Sequence, residues 1–342
     1  MQSKSQVALV KGDSRYDNIA KALGLIEGDI RLDKAKDILI KVNFVSTTHQ
    51  LASTHVEGVR ALLDFLRPRY GGPITIAEGA ALSDTFDGYR NFGYLELADE
   101  YDVQLVDLNR DDWVWVQVYD RHLRPLKLRA ARSVVESDYR IAIGPPKTHD
   151  TVLVTLFLKN IVVGSLTRDV GREGGNSLLR TVGRFVPASL KQSPLLTEIR
   201  TSALRSLNRS DKFALHQGYP AMNLNLYTLA KVMAPHLSVI DGYVGMEGSG
   251  PTQGNPVELR LAIASTDFLA ADAVAVRIMG FDLDEIGYLH YCKLGRLGRA
   301  APEEIEVLGN VTVEECIRPF KPHPTHKRQL EWRIPDVGRL LS

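Results

Sequence analysis

Short, uninterrupted apolar runs alternate with helical patterns along the first half of this chain. The runs are rich in β-branched residues and lie at 7–13, 38–45, 74–80, 103–109 and 139–147. Such runs are typical of strands that are buried on both faces of a parallel sheet. Between them, "RYDNIAKALGL" and "HVEGVRALLDFLRPR" carry apolar residues at helical spacing, with Thr54 placed to cap the second helix. The alternation predicts an α/β fold with a doubly wound, mostly parallel sheet.

Changes in composition divide the rest of the chain. Residues 113–130 alternate polar and apolar side chains, which predicts an antiparallel hairpin. Residues 167–214 hold nine Lys and Arg against four Asp and Glu, which indicates a mainly helical, partly mobile basic cap or, alternatively, a solvated helical excursion. The alternating pattern then resumes and predicts a second α/β lobe. The predicted domains are an N-terminal α/β lobe 1–166, a basic cap insertion 167–220, a C-terminal α/β lobe 221–318 and a surface tail 319–342.

The charge balance and the cysteine content limit the classes of partner. The 42 basic and 41 acidic residues leave a net charge of +1, which gives no overall attraction to nucleic acid. Cys292 and Cys316 cannot by themselves hold an iron–sulfur cluster, and they favour a reducing, cytoplasmic compartment. The first residues lack the apolar region of a signal peptide, and polar residues interrupt the apolar stretch 151–167. We therefore expect no membrane span.

Polar side chains follow the ends of six predicted strands. They are Asn43, Glu78, Asp107 with Asn109, Lys147 with His149, Asp241 and Asp267. In open α/β sheets, ligands bind outside the carboxyl ends of the strands. Turns and helix caps use the same residue types, so capping alone is the alternative interpretation. The repetition favours a polar rim along one edge of the sheet.

The stretch "GPPKTHDTVLVTLFLKNIVVG" at residues 144–164 is the richest in candidate chemistry. Its two prolines end a buried strand, and His149 follows as an acid/base group, a metal ligand or a turn residue. A helical interpretation places Thr151, Thr155 and Lys159 on one face, with Asn160 beside them. A lysine in apolar surroundings has a depressed pKa and can act as a base or nucleophile, unless its ammonium group extends to water.

A glycine-rich loop, "GMEGSGPTQGNP", contains Glu247 and Gly250. Its backbone amides are suited to a phosphate or carboxylate, although a structural turn is the alternative and no P-loop or dinucleotide-binding spacing is present. Metal binding is left open because the candidate ligands have no local spacing signature. These ligands are His149, His216, Glu78, Asp241 and Asp267.

Five stretches together resemble the bacterial and archaeal family catalogued as domain of unknown function 362. They are "ILIKVNFV", "ITIAEGA", "SDYRIAIGPPKTHDTVLVTLFLKNIVVG", "VIDGYVGMEGSGPTQGNP" and "ASTDFLAADAVAVRIMG". The resemblance covers roughly residues 36–310, excluding the cap. Many members of that family carry a cysteine-rich, ferredoxin-like insert, which this chain lacks.

The first half is also distantly similar to the nickel-pincer lactate racemase. In that family a histidine lies ten residues before the lysine that holds the cofactor, and His149 and Lys159 reproduce this spacing. The glycine pair before the lysine is replaced by "LFL", the "GTH" type turn is "AEGA", and no histidine occurs between residues 149 and 216. The resemblance therefore implies the architecture, the cleft and the His149–Lys159 pair, but we do not expect the nickel-pincer cofactor.

The combined hypothesis is an enzyme with two lobes that share a cleft. It would act on a small anionic metabolite, bearing a carboxylate or phosphate, by isomerase-like or epimerase-like acid/base chemistry. His149 would be the acid/base and Lys159 a second base or an anion anchor. The predicted substrate-binding residues are Asn43, Glu78, Lys147, Asn160, Asp241, Glu247, Gly250 and Asp267. There are two alternatives. The first is a redox or biosynthetic enzyme that uses a metal or an external cofactor, and the second is a non-catalytic anion-binding protein. A homodimer is also left open.

Overall fold

Ten strands form one large sheet in a computed structural model that describes residues 4–169 and 210–341. A separate two-stranded sheet lies outside it. The strands are β1 Ser5–Lys11, β2 Ile38–Lys41, β3 Ile74–Glu78, β4 Gln104–Asp107, β5 Trp113–Tyr119, β6 Pro125–Ala131, β7 Tyr139–Gly144, β8 Lys147–His149, β9 Leu153–Thr155, β10 Leu237–Glu247, β11 Asn255–Ser265 and β12 Ile305–Gly309. The order across the large sheet is β12-β1-β11-β10-β7-β2-β3-β4, and the short strands β8 and β9 extend it beside β10.

The sheet is mostly parallel. Strands β10, β7, β2, β3 and β4 run in one direction, whereas β11 is antiparallel to both of its neighbours, β1 and β10. The predicted α/β class is therefore confirmed. One sheet joins strands from both halves of the chain, and the division into two lobes stays a prediction.

Helices cover both faces of the sheet. They are α1 Arg15–Leu25, α2 Val56–Leu66, α3 Thr85–Asn91, α4 Tyr94–Tyr101, α5 Arg132–Glu136, α6 Phe157–Ser165, α7 Asp211–Ala214, α8 Tyr219–Met233, α9 Phe268–Ile278, α10 Gly287–Leu294, α11 Val313–Cys316, α12 His326–Gln329 and α13 Gly338–Leu341. Ile38 and Ile40 pack into the core under α1, α2 and α4, while Leu39 packs into the core under α6, α8 and α9. Burial on both faces explains the uninterrupted apolar runs.

The segment after β7 differs from its prediction. Residues 151–165 do not form one helix, because β8 and β9 pair as a short antiparallel hairpin and α6 begins only at Phe157. The β-branched run from Val152 to Thr155 fits a strand better than a helix. Thr151 and Thr155 therefore do not share a helical face with Lys159, and that part of the interpretation was wrong.

Two local predictions had different outcomes. The hairpin predicted at 113–130 is confirmed as the antiparallel pair β5 and β6. Thr54 does not cap α2, because the N-cap is His55, whose side chain accepts from the amide of Glu57. Thr54 instead uses its hydroxyl to join two strand ends, accepting from the amide of Asn43 and donating to the carbonyl of Ile143.

The predicted cap lies largely outside the described residues, which include only 167–169 and 210–220 of it. The C-terminal tail is more than a surface segment, since Gln329 and Trp332 are buried. Gln329 accepts from the amide of Leu153 and donates to the carbonyl of His149, so it holds the β8–β9 hairpin in place. Within the described ranges, none of the helices has the length and apolar character needed to cross a bilayer.

Candidate functional site

A buried ion pair lies at the carboxyl ends of β2 and β3. Lys41 Nζ donates to Glu78 Oε2 at 2.6 Å and to the carbonyl of Val42 at 2.6 Å, and both side chains are almost fully buried. A Cβ atom on Gly164 of α6 would lie 2.4 Å from Lys41 Nζ, so the missing side chain leaves room for the ammonium group. The sequence pattern pointed to Glu78 but missed Lys41, whose only sign was one lysine inside an apolar strand.

Three further polar residues join this pair into a network. Asn43 accepts from Lys147 Nζ through its side-chain oxygen and donates to Asn160 Oδ1 at 2.9 Å. Lys147 also donates to the carbonyl of Ala52 at 2.7 Å. Burial lowers the pKa of Lys147 well below its ordinary value, and the nearby Lys159 lowers it further. The structure thus brings Asn43, Lys147 and Asn160 together, and of these Asn43 and Lys147 were placed on one rim from their positions at strand ends.

A small cavity of about 10 Å³ lies beside Asn160. It is lined by Asn43, Gly144, Pro145, Thr155, Leu156, Phe157 and Asn160. The hydroxyl of Thr155 and the side-chain nitrogen of Asn160 are buried and have no hydrogen-bond partner among the described residues. A polar cavity of this size suits one small group such as a water molecule.

Lys159 is the most unusual member of the site. It lies on α6 with 7 % of its surface exposed, and its ammonium group has no hydrogen-bond or ion-pair partner in the described part of the chain. Burial lowers its pKa from 10.5 to about 8, with Asp150 and Glu78 acting in the opposite direction. A lysine in this state exchanges a proton readily near neutral pH.

His149 is buried at the end of β8, next to Lys159. Its Nδ1 accepts from the amide of Thr151 at 3.0 Å, and Asp150 Oδ1 lies 3.0 Å from the same nitrogen. An amide always donates, so this contact assigns the ring hydrogen of the neutral form to Nε2. Burial lowers the pKa of His149 well below 6.5, and the charge of Lys159 lowers it further. The side chain is therefore a neutral donor at physiological pH.

Asp272 fixes the start of α6, the helix that carries Lys159. The N-cap residue Leu156 makes no capping bond with its side chain. Asp272 of α9 instead accepts from the amide of Phe157 at 3.3 Å. Burial raises the pKa of Asp272 to about 8. Sequence analysis missed this residue, whose one sign was a lone acid inside an apolar helix.

Lys212 contributes a fourth buried amine from the described end of the predicted cap. Its Nζ donates to the carbonyl of Gly164 at 2.8 Å and to the carbonyl of Leu166. Burial lowers its pKa to about 7. This residue was included in the basic cap but was not predicted to be part of the site.

Lys41, Lys147, Lys159 and Lys212 are called the lysine cluster below. All four are buried, and Glu78 influences the pKa of each of them, so they form one electrostatic unit. Among the described residues, only Lys41 forms an ion pair with that carboxylate. In the described part of the chain, Lys159 is the one member of the cluster whose ammonium group has no hydrogen-bond partner, and a buried cation without a partner is costly.

Two predicted site residues lie elsewhere. Asp241 points to the opposite face of the sheet from Lys41, toward α2, and accepts from Arg15 Nε at 2.9 Å. Burial raises the pKa of Asp241. Asp267 lies at the opposite edge of the sheet because β11 is antiparallel, so the expectation that it shares the rim was wrong.

The contacts of Asp267 are those of a helix cap. Its Oδ1 accepts from the amides of Leu269 and Ala270, and its Oδ2 accepts from Ser5 Oγ and the amide of Arg299. Both carboxylate oxygens are therefore occupied within the protein.

The glycine-rich loop uses its polar groups internally. Glu247 accepts from the amide of Lys321 at 2.8 Å, and the amides of Gly248 and Gly250 donate to carbonyl groups. Gly250 lies so close to Thr148 that a Cβ atom would be 2.2 Å from its carbonyl oxygen. The loop thus packs against Thr148 of β8. Binding of a substrate by Glu247 or Gly250 stays a prediction.

The candidate metal ligands are dispersed. The described residues contain no group of three or more His, Cys, Asp or Glu side chains that could hold a metal ion. Glu78, Asp241 and Asp267 lie on different faces or edges of the sheet, as described above. These three carboxylates therefore cannot bind one metal ion together, and binding of a metal or external cofactor stays a hypothesis.

Comparisons with known proteins confirm the predicted resemblance to the family of unknown function. Residues 38–277 match the family described as a domain of unknown function (DUF362). A thylakoid-associated protein of Synechocystis sp. is 24 % identical over 302 residues, covering 88 % of this chain and 76 % of that protein. A solved structure from Thermotoga maritima matches with a TM-score of 0.36 and 15 % identity, over 46 % of this chain and 40 % of that one. The lactate racemase apoprotein from Thermoanaerobacterium thermosaccharolyticum matches with a TM-score of 0.34 and 18 % identity, over 49 % and 39 %.

Proposed function

The chain belongs to the family described as a domain of unknown function (DUF362), and from that premise we propose that its lysine cluster binds a small carboxylate- or phosphate-bearing metabolite. The observation that carries the proposal is Lys159, a buried residue whose ammonium group lacks a partner among the described residues. A bound anion would add a counter-charge to the cluster as a whole, in which Glu78, within the described ranges, pairs only with Lys41.

The chemistry best suited to this arrangement is proton transfer beside the anionic group. With a pKa of about 8, roughly one tenth of Lys159 is the free amine at neutral pH. This amine accepts a proton from a carbon atom next to the substrate carboxylate, and the C–H electron pair moves into the carboxylate. Return of the proton to the opposite face of that planar carbon atom, after the intermediate turns relative to Lys159, gives the epimer, whereas return to the same face regenerates the substrate. The reaction class is thus isomerase-like or epimerase-like.

The remaining residues stabilise the developing charge. Lys147 is fixed by Asn43 and Ala52, so it is preorganised to face an oxyanion without further movement. His149 donates a hydrogen bond to the substrate through Nε2, which is a narrower role than the general acid/base role expected from sequence.

The first experiment identifies the ligand and then measures turnover. Untargeted metabolite profiling of the purified chain supplies the candidate substrate. We expect Lys159→Met and His149→Gln to reduce its turnover by about 10²–10⁴-fold. Lys21→Met on α1 is the matched control, because Lys21 is an exposed helical lysine. Unchanged turnover in both site variants would refute the catalytic assignment.

The pH profile adds a second readout. The ratio kcat/KM, which reports the free enzyme, should rise as the pH increases through about 8, since the amine of Lys159 is the active form. If the wild-type chain binds the metabolite through the lysine cluster but converts it to nothing, the protein is a binding protein and the catalytic step is wrong.

A further inference from the structure

A second cavity opens at the opposite edge of the sheet. It is a groove of about 460 Å³ beside the amino ends of β7 and β10, with Arg140 and His236 in its lining. Ligand pockets in proteins usually measure about 300–1,000 Å³. Lys147 lies just beyond the carboxyl end of β7, so the groove and the lysine cluster are roughly 20 Å apart along the strand.

Arg140 supplies a positive charge without a carboxylate partner. Its guanidinium group donates to the carbonyls of Ala234 at 3.1 Å and Ser137 at 2.9 Å, and it forms no ion pair with any described residue. The group is partly buried, and burial lowers the pKa of Arg140. A partly desolvated guanidinium group held only by neutral oxygens retains donor capacity for a carboxylate.

His236 adds a donor in a defined tautomer. Its Nδ1 accepts from the amide of Arg140 at 2.9 Å, so the ring hydrogen of the neutral form lies on Nε2. The ring stacks on Tyr139 with the centroids 5.2 Å apart, which holds its orientation. The only carboxylate in the lining, that of Asp267, is already occupied by four donors and does not compete for either group.

Besides Lys231 and Thr266, the remaining lining residues are mostly apolar. They include Ala230, Val232, Ala234, Pro235, Phe268 and Leu297. We propose that this groove binds a small organic monocarboxylate with an apolar body, with Arg140 and His236 holding the carboxylate. This site is independent of the function proposed for the lysine cluster.

Isothermal titration calorimetry of the full chain tests the proposal with benzoate as the probe and benzamide as its neutral analogue. We expect one saturable site for benzoate. Benzamide should bind at least about tenfold more weakly than benzoate, because a charged hydrogen bond contributes about 1.5–3 kcal/mol. Arg140→Gln should weaken benzoate to the same extent. Val232→Trp changes a residue that is 40 % exposed and should obstruct the groove without disturbing the core.

Two controls assign the binding to the groove. Arg121→Gln removes an exposed arginine of the β5–β6 turn and should leave the affinity unchanged. Lys159→Met should also leave it unchanged, whereas a loss in that variant alone would place benzoate in the lysine cluster and overturn the proposal. Wild-type affinity in Val232→Trp and Arg140→Gln, or the absence of saturable binding to the wild-type chain, would overturn it as well. Val232→Trp decides the question if Arg140→Gln does not fold.

Discussion

Replacing Lys159 by methionine should make the protein more stable. Methionine has nearly the same length as lysine and suits a site that is only 7 % exposed. The pKa of Lys159 falls from 10.5 in an exposed lysine to about 8 in the folded chain. Each pKa unit corresponds to about 1.4 kcal/mol, so keeping the ammonium group in this position costs about 3 kcal/mol at neutral pH.

The sign of the pH dependence follows from the lowered pKa. Well above 10.5 the amine is neutral in both the folded and the unfolded state, and the cost vanishes. As the pH falls from 10.5 to about 8, only the unfolded state takes up the proton, so the folded state loses stability relative to it. Below about 8 the full cost is present.

Urea denaturation of the wild-type chain and Lys159→Met measures this cost. The variant should be more stable by up to about 3 kcal/mol near pH 7, and the difference should shrink to about 1 kcal/mol near pH 10. Lys21→Met, with its exposed side chain, should show neither effect. A variant less stable than the wild type at neutral pH, or a difference that does not change with pH, would refute the inference that Lys159 is a buried charge without a partner.

Three further variants probe the residues around Lys159. Glu78→Gln should lower the free energy of unfolding by about 3–5 kcal/mol in urea denaturation, because Lys41 then lacks its buried partner; a near-neutral effect would mean that the pair is not charged. Asp272→Asn should become progressively more stable than the wild type as the pH rises from about 5 to 8, because the unfolded carboxyl group is ionised over that interval whereas the folded one keeps its proton up to a pKa of about 8; a constant difference would contradict a protonated Asp272. Gly164→Ala should lower the midpoint of thermal unfolding by displacing Lys41 from Glu78, at a cost of about 1–3 kcal/mol, and a wild-type midpoint would count against this close approach.

The sequence predicted the features of the fold that are set by local patterns. The runs at 38–41 and 74–78 are mostly apolar because successive residues of a strand, such as Leu39 and Ile40, pack into the cores on opposite faces of the sheet. The pattern of apolar residues does not reveal whether a strand runs parallel or antiparallel to its neighbours. Asp267 was placed on the wrong edge because an apolar run like that of β11 is compatible with either direction.

The site was predicted in part for the same reason. Asn43 and Lys147 could be placed near one another because each follows a recognisable strand, whereas Asn160 reaches them from within α6. The partners of Lys41, by contrast, are 37 and 119 residues away in sequence, so its role is decided by tertiary contact. The apolar run that contains Asp272 likewise gave no indication that the acid reaches the start of α6.

A crystal structure of the chain with its identified metabolite tests the central claim most directly. The proposal predicts that the anionic group of the ligand lies within about 3 Å of Lys159 Nζ, with Lys147 or His149 donating to the same group. Electron density for the metabolite in another part of the molecule, with Lys159 left without a partner, would contradict the assignment of the lysine cluster as the binding site.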